Sequence, residues 1–435
     1  MTKYEHEFRD PIHAFITARG DERRIIDSAP FQRLRNIHQL ALTYLVYPGA
    51  THKRFEHSLG VMELATQIFD RVTRNDNIHH DVVRDVIPDP DAVRYWRAVL
   101  RAAALCHDIG HLPFSHAAEQ ELLPSGYDHE RLTADLILKS ELKDVWSKLK
   151  PGLLPEDIVK VAIGPKKAKG LQFSSWEALL AEMITGDSFG ADRMDYLLRD
   201  AYHTGVAYGK FDHHRLIQCL VILPKRDKQT DEPALGLHGN GLEASEGLMI
   251  ARHFMFKQVY FHPVRRAYDL HLQEFLRVWL KGGKLPTSCS RHLGLSDAEV
   301  LAAIRRAAKA PSNAAHKPAW RIDCRKHFKI LYTALPGDSA RGVLMPGAVI
   351  AKEAAEVFGK DNILHDYVPP KTAAPDFPVL WNDGEVHSSL QVSEILKNMP
   401  VLSVDSVYCD TAVRDEARKW RNTNKNKLLN LEAAA

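Results

Sequence analysis

Apolar residues recur with a helical period over much of the stretch from about residue 30 to 280. In "EHSLGVMELATQIFDRV", Leu59, Met62, Ala65, Ile68, Phe69 and Val72 share one 3.6-residue face, which predicts an amphipathic helix. "DAVRYWRAVLRAAALCHD" is apolar on most sides and predicts a central helix, ended by Gly110 and Pro113. "APFQRLRNIHQLALTYLV" predicts another, with Ser28 as N-cap and Pro30 near its start. "SSWEALLAEMITG" and "GADRMDYLLRDAYHTG" each close on glycine. The segment from Glu243 to Gly283 reads as one long or bent helical stretch, interrupted at Pro263.

The texture changes after about residue 285. "HFKILYTAL", "NILHDYVPP" and "SVDSVYCD" are short strand-like runs around a helical "AVIAKEAAEVFG". The expected fold class is therefore mainly α, with a helical core over residues 1–285 and a smaller α+β lobe over 286–430. Residues 225–245 and 305–320 read as loops.

Composition narrows the classes. Lys+Arg minus Asp+Glu is 58 − 55 = +3, too mild to argue for nucleic acid by charge. There is no run of 18 apolar residues and no apolar signal core in "MTKYEHEFRDPIH", so neither membrane association nor secretion is expected. The five cysteines are scattered without a CxxC pair, as in a reduced cytoplasmic protein. Histidine is the outlier, at 23 residues.

Four of the relevant polar residues lie in "LCHDIGHLPFSH": His107, Asp108, His111 and His116. A lone histidine in an apolar helix is usually a hydrogen-bonded core residue. Two adjacent polar groups at one buried helix end instead need specific partners or cost several kcal/mol, as an order of magnitude. Imidazole and carboxylate together form a mixed N/O donor set that suits Mg, Mn, Fe or Zn, and two donors are too few. His57, in the first turn of its helix, is a further candidate. So is Asp192, which shares a helix face with Tyr196 and Asp200 at i, i+4 and i+8. His79, His80, His213 and His214 lie in polar stretches and read as solvated.

These residues also carry a resemblance. "RFEHSLG", "HDIGHLPFSH" and "GADRMDYLLRDAYHTG", in that order, resemble the HD-domain deoxynucleoside triphosphate triphosphohydrolases, closest to the branch that joins a SAM domain to an HD domain. "DPIH", "IIDSAPFQRLRNIHQL" and "VYPGATHKRFEHSLGV" extend the likeness; "RHFMFKQVYFH" and "VSEILKNMP" extend it more weakly. No SAM domain is expected ahead of this catalytic region. The resemblance implies an HD-type phosphohydrolase core over 1–285 and a regulatory or oligomerisation lobe over 286–430. It implies one divalent metal ion held by His57, His107, Asp108 and Asp192. It implies that Arg54, Arg193 and Tyr196 hold the triphosphate, with His111, His116 and His129 around the α-phosphate. Gln39, Asp200 and Tyr196 would bond the sugar 3′-hydroxyl, and Leu40 and Tyr260 would exclude ribonucleotides. These roles fit the chemistry. Arginine forks match the roughly four negative charges of a triphosphate. A divalent ion makes water a nucleophile at neutral pH. His116, supported by Glu119 or His129, would protonate the leaving 5′-oxygen. The products would be a deoxynucleoside and inorganic triphosphate.

Asp27, Gln32 and Arg35 match positions that bind an activating guanine nucleotide in that branch. GTP or a dNTP is the activator so implied, and a dimer or tetramer the implied assembly. This chain departs from the pattern at several positions. His6 stands in place of a lysine, and "LGLHGNGLEAS" offers Asn240 where basic residues hold a second activator, which argues against two-nucleotide activation. Arg193 replaces a lysine, and Ala41 and Leu42 replace glycines beside the sugar. Two other readings keep the scaffold: a metal-dependent nuclease or phosphodiesterase acting on single-stranded DNA or another nucleotide, and a non-catalytic nucleotide sensor.

Overall fold

Helices carry most of the chain, as the apolar periodicity requires. The computed structural model describes residues 5–78, 80–115, 122–168, 170–227, 230–339, 345–370 and 374–429. Its helices include α1 (Arg54–Val72), α2 (Pro90–Cys106), α3 (His129–Lys139), α4 (Pro155–Ile163), α5 (Ser175–Thr185), α6 (Ala191–Thr204), α7 (Leu242–Met255), α8 (Pro263–Trp279), α9 (His316–Asp323), α10 (Pro346–Phe358) and α11 (Arg414–Leu428). Its strands are β1 (Glu5–Asp10), β2 (Ala14–Arg19), β3 (Leu220–Asp227), β4 (Thr230–His238), β5 (Lys329–Thr333), β6 (Ile363–Val368), β7 (Pro378–Leu380), β8 (Val386–Ser388) and β9 (Val404–Cys409). The protein is mainly α, as expected.

Two compact units share the chain. The first comprises residues 1–255, 285–298 and 374–399, and the second 256–284, 299–373 and 400–435. The chain thus passes between them more than once, in place of the single crossing near 285 that the change of texture suggests.

In the first unit α1 packs against α2 and α6, and α4 against α2, α3 and α5. Helix α1 is buried on nearly every face, from Arg54 through Val72. Helix α2 starts on Pro90, with the Asp89 carboxylate accepting the Asp91 and Ala92 N–H groups. Its C-terminal half, Val99–Cys106, is wholly buried. Arg101 within that half is neutralised by Glu22, at 2.5 and 2.7 Å. Strands β1 and β2 form an antiparallel hairpin, and β3-β4-β7-β8 a second sheet. In the second unit the sheet is β5-β9-β6. Leu331, Ile363 and Val407 from its strands pack against Ile350 and Ala354 of α10 and Ala417 of α11, while Phe328 and Tyr408 pack with Ala267 of α8.

Three sequence expectations need correction. Residues 29–46 do not form one helix. They form a helical turn at Ala29–Gln32 and 3-10 turns at Arg33–Asn36 and Ala41–Leu45. Tertiary partners divert the backbone: the His38 N–H donates to Asp297 at 2.8 Å and the Gln39 N–H to the His52 carbonyl at 3.0 Å. Ala41 also takes φ +48, outside the helical region. Ser28 precedes the first turn, but its hydroxyl donates back to the Ile25 carbonyl instead of capping. Residues 225–245 hold the rest of β3, all of β4 and the start of α7 rather than a loop. Pro224 and Pro233 sit on the same rung, so the missing donors are confined there. Residues 305–320 include the end of a helix, Asp297–Ala308, and the start of α9. The helical stretch is interrupted just before Pro263, as expected: a π-helical turn, Phe256–Tyr260, is separated from α8 by two residues.

Candidate metal centre

Helix α2 stops at Cys106, and His107 is its C-cap. The Nδ1 atom of His107 bonds the Ala104 carbonyl of its own helix at 2.8 Å, which turns Nε2 away from that helix. Asp108 follows in the turn. His57 faces both from the first turns of α1, and Asp192 from the first turn of α6. The Nε2 atom of His57 lies 3.0 Å from Asp192 Oδ1 and 3.6 Å from Asp108 Oδ2. The Nε2 atom of His107 lies 3.4 Å from Asp108 Oδ1 and 3.7 Å from Asp192 Oδ1. Donors about 2.1 Å from one ion stand about 3.0 to 3.5 Å apart, so this spacing fits a single divalent cation. His57, His107 and Asp108 are buried and by themselves offer three donor atoms within 4.8 Å of one another. Asp192, with 35 % of its side chain accessible, is the open edge.

The charges point the same way. Burial alone would lower the pKa of His57, but hydrogen bonds to Asp192 and Asp195 hold it up at about 10. Asp192 is kept below the usual carboxylate range, against its burial, by His107 and His57. Asp108 is kept well below it, against its burial, by Arg54, His107 and His111. The cluster therefore favours positive charge at its centre. His107 Nε2, buried, finds no hydrogen-bond partner among the described residues. A lone pair placed there suits a metal ligand.

Around the cluster, Arg54 forms an ion pair with Asp108, and its Nε donates to Ser115 Oγ at 2.9 Å. His111 Nε2 is 3.1 Å from Asp108 Oδ1, and its ring stacks on that of His129 with centroids 4.1 Å apart. Burial, with Arg54 and His129 nearby, holds the His111 pKa well below its ordinary value. Gly110 makes this proximity feasible, because a Cβ there would fall 2.3 Å from the His129 carbonyl oxygen. His116 and Glu119 lie outside the described residues.

On the open side, the Tyr196 hydroxyl hydrogen-bonds with Arg193 and with Arg252 of α7. Burial and the Arg193 charge lower the Arg252 pKa. Two guanidinium groups thus crowd one place next to Asp192. Arg193 also bonds Asp187 at 3.4 Å, yet its buried Nε has no partner among the described residues. Such a place calls for an anion. Further along α6, Asp200 accepts from His52 Nε2 at 2.7 Å rather than facing solvent. Next to His52 in the backbone pairing is Gln39, whose buried Oε1 has no partner among the described residues. Leu40 beside it is buried. Tyr260 belongs to the second unit, in the π-helical turn.

The proposed regulatory residues are partnered locally. Asp27 pairs with Arg23 at 2.9 Å, and Arg23 also contacts His6. Gln32 donates to the Ile26 carbonyl and accepts from Arg35, whose guanidinium lies 3.5 Å over the Phe55 ring.

Sequence reasoning missed Asp195, Arg252 and Asp297. Asp297, 1 % exposed, receives the N–H groups of His38 and Phe114 at 2.8 Å each. Phe114 and Ser115 have φ of +57 and +55, so this carboxylate braces a left-handed turn that costs about 1 kcal/mol or more per residue. The only sequence signal was an acidic residue opening a helix after "GLS".

The HD domain family matches residues 54–200, and the HD associated region matches 211–368. The chain is 37 % identical over 274 residues to the uncharacterized protein YwfO of Bacillus subtilis, covering 62 % of this chain and 55 % of that one. It is 34 % identical over 233 residues to the deoxynucleoside triphosphate triphosphohydrolase SAMHD1 of Gallus gallus, covering 48 % and 36 %. The chain thus spans about half or less of the length of these curated relatives. A solved hypothetical protein from Aquifex aeolicus superposes with a TM-score of 0.77 and 31 % identity, over 95 % of this chain and 99 % of that one.

Proposed function

Given that the chain belongs to the HD-domain phosphohydrolase family, we propose that it hydrolyses deoxynucleoside triphosphates to deoxynucleoside and inorganic triphosphate. One observation carries this reading. A buried donor set that calls for a cation adjoins a pair of arginines that call for an anion. That is the arrangement a metal-assisted attack on a phosphate ester needs. The name of a relative, the triphosphohydrolase SAMHD1, supports the choice of substrate.

His57, His107, Asp108 and Asp192 would hold the ion. When bound there, it polarises a phosphoryl oxygen and supplies water acidic enough to attack at neutral pH. Arg193 and Arg252 would clamp phosphate oxygens, with Tyr196 fixing their direction. Arg54, ion-paired with Asp108, is proposed on the resemblance to help hold the triphosphate. Gln39 Oε1, an acceptor in want of a donor, suits a sugar hydroxyl, and Asp200 held by His52 stands next to it in the chain of contacts. Leu40, buried beside Gln39, is proposed on the resemblance to exclude ribonucleotides. His116, with His129 or Glu119, is proposed as the acid that protonates the leaving 5′-oxygen, on the resemblance. His111, held neutral by burial, would bond a phosphoryl oxygen through its ring.

Activation by a guanine nucleotide belongs to the same proposal: Asp27 would accept from guanine N1–H and N2–H, and Arg35 would donate to O6. Both would exchange their present partners to do so. The second unit is proposed to serve regulation or oligomerisation, the chain to work as a homo-oligomer in the cytoplasm.

The test is direct. Purified protein is offered each dNTP and NTP with Mg²⁺, Mn²⁺, Fe²⁺ or Zn²⁺, with and without GTP, and released triphosphate is measured. Release from dNTPs is expected. No triphosphate from any dNTP under any condition would sink the proposal, and mononucleotide release from single-stranded DNA would replace it with the nuclease reading.

A further inference from the structure

The two histidines at the candidate metal centre are held in different ways. His107 bonds a carbonyl of its own helix. His57 Nδ1 instead bonds a carboxylate, Asp195 Oδ2, at 2.8 Å. Asp195 has no part in the reaction outlined above, yet it is fully buried and doubly anchored. Arg199, one helical turn on, grips it with Nε at 2.8 Å and Nη2 at 2.9 Å. His13 Nε2 bonds its other oxygen at 2.7 Å.

The anchors lead to the N-terminal hairpin. Arg199 Nη1 reaches Asp10 at the end of β1, at 2.8 Å. Asp10 also accepts the N–H groups of Ile12 and His13, at 2.8 and 3.0 Å, and so shapes the turn that presents His13. Hairpin, carboxylate and imidazole thus form a continuous hydrogen-bonded series.

Helix α1 makes room for it. Gly60 lies three residues after His57, and a Cβ there would sit 1.9 Å from Asp195 Oδ1 and 2.5 Å from Arg199 Nη2. Glycine inside a helix is less favourable than alanine. At Gly60 its absence of a side chain admits the carboxylate that His57 meets.

A carboxylate bonded to one ring nitrogen fixes the tautomer, aims the other lone pair and makes it a stronger donor. We propose that Asp195, held by His13 and Arg199 with Asp10 bracing both, is a positioning residue that fixes His57 as a metal ligand, so that the N-terminal hairpin helps set the affinity of the site for a divalent cation. This rests on the reading of His57 as a metal ligand.

The experiment measures binding of Mn²⁺, and in parallel Zn²⁺, to the full chain by titration calorimetry. Melting is followed both in EDTA and with the ion present. Variants are Asp195→Asn, His13→Asn and Gly60→Ala, with His107→Ala as the control for adventitious binding. Asp195→Asn keeps an acceptor but removes its charge, and should weaken binding about 10- to 100-fold. The rise in melting temperature caused by the ion should shrink accordingly. His13→Asn and Gly60→Ala touch no donor atom of the cluster and should weaken binding less, by about 3- to 10-fold. A purely structural role would lower melting equally with and without the ion and leave affinity alone. Folded Asp195→Asn that binds within about twofold of the parent chain overturns the proposal. Should Asp195→Asn fail to fold, unchanged affinity in His13→Asn overturns it instead. If the parent chain binds neither ion, the metal reading itself falls, an outcome distinct from failure of the positioning role.

Discussion

The metal cluster and the Asp27–Gln32–Arg35 group lie in the same unit, and both are rich in charge and hydrogen-bonding capacity. They differ in what remains unmet. In the cluster the side chains are mostly buried, three carboxylates surround two imidazoles, and His107 Nε2, with carboxylate oxygens at 3.4 and 3.7 Å, makes no hydrogen bond among the described residues. In the other group Asp27 is exposed and paired with Arg23, and Gln32 and Arg35 satisfy each other. Unmet demand in a buried place signals a ligand, because leaving it unmet costs about 1–3 kcal/mol per group. Paired groups at the surface give no such signal, and a ligand there must first displace what is present.

The comparison can be tested from its strong side to its weak one. The largest effect is expected from His107→Ala, which removes one of four donors. Ion affinity and triphosphate release should fall at least about a thousandfold, with far-UV circular dichroism and melting in EDTA retained. Full activity in this variant would mean that the unmet atom signals nothing. Next comes Arg193→Ala, expected to lower kcat/KM for dNTPs about 10- to 100-fold, the loss of one charged hydrogen bond to phosphate. Arg193→Lys should recover part of that, as steady-state kinetics would show. Smaller still is Asp27→Ala. It should remove stimulation by GTP while costing about 0.5 kcal/mol or less in chemical denaturation. Stimulation that survives would break the regulatory half of the contrast.

The smallest effect is a pH dependence on the buried side. Burial, with the neighbouring His52 and Arg199, lowers the His203 pKa from 6.5 to about 4. The folded state therefore keeps this ring neutral where the unfolded chain would protonate it. Its contribution is present above about 6.5, and is lost as pH falls from there to about 4. Melting temperature should decline over that window, and His203→Asn should flatten the decline. An unchanged profile would show that this ring, stacked on His52 at 4.4 Å, is indifferent to its charge.

The sequence revealed α1, α2, α5, α6 and the strands of the second unit, because each carries a periodic apolar face or a compact apolar run. It hid the N-terminal hairpin, whose alternation is mostly polar, and β4, whose proline reads as a break. At the site, His107 and Asp108 stand out because two polar groups close an apolar helix, while His57 and Asp192 join them as a ligand set through the family resemblance. Asp195 and Arg199 do not stand out: at i and i+4 on a charged helix they look like an ordinary surface pair. Only tertiary structure shows that both are buried, with His57 on one side and the hairpin on the other. Residues 29–46 misled for the opposite reason, since their apolar spacing is helical while their backbone donors are taken by Asp297 and His52.

The pairing of β4 with β7 has a consequence for how the protein is made. Leu237 and His238 meet Val379 and Leu380 in parallel, some 140 residues further along the chain. During translation the helices around His57 and His107 leave the ribosome long before β7 does, so the sheet begun by β3 and β4 waits with β4 as a bare edge. An edge of that kind invites mispairing with other chains. A polypeptide released early, after residue 285 for instance, would carry every proposed metal donor and still expose that edge. Such a fragment is expected to aggregate more readily than the 435-residue chain, as light scattering of the two would show.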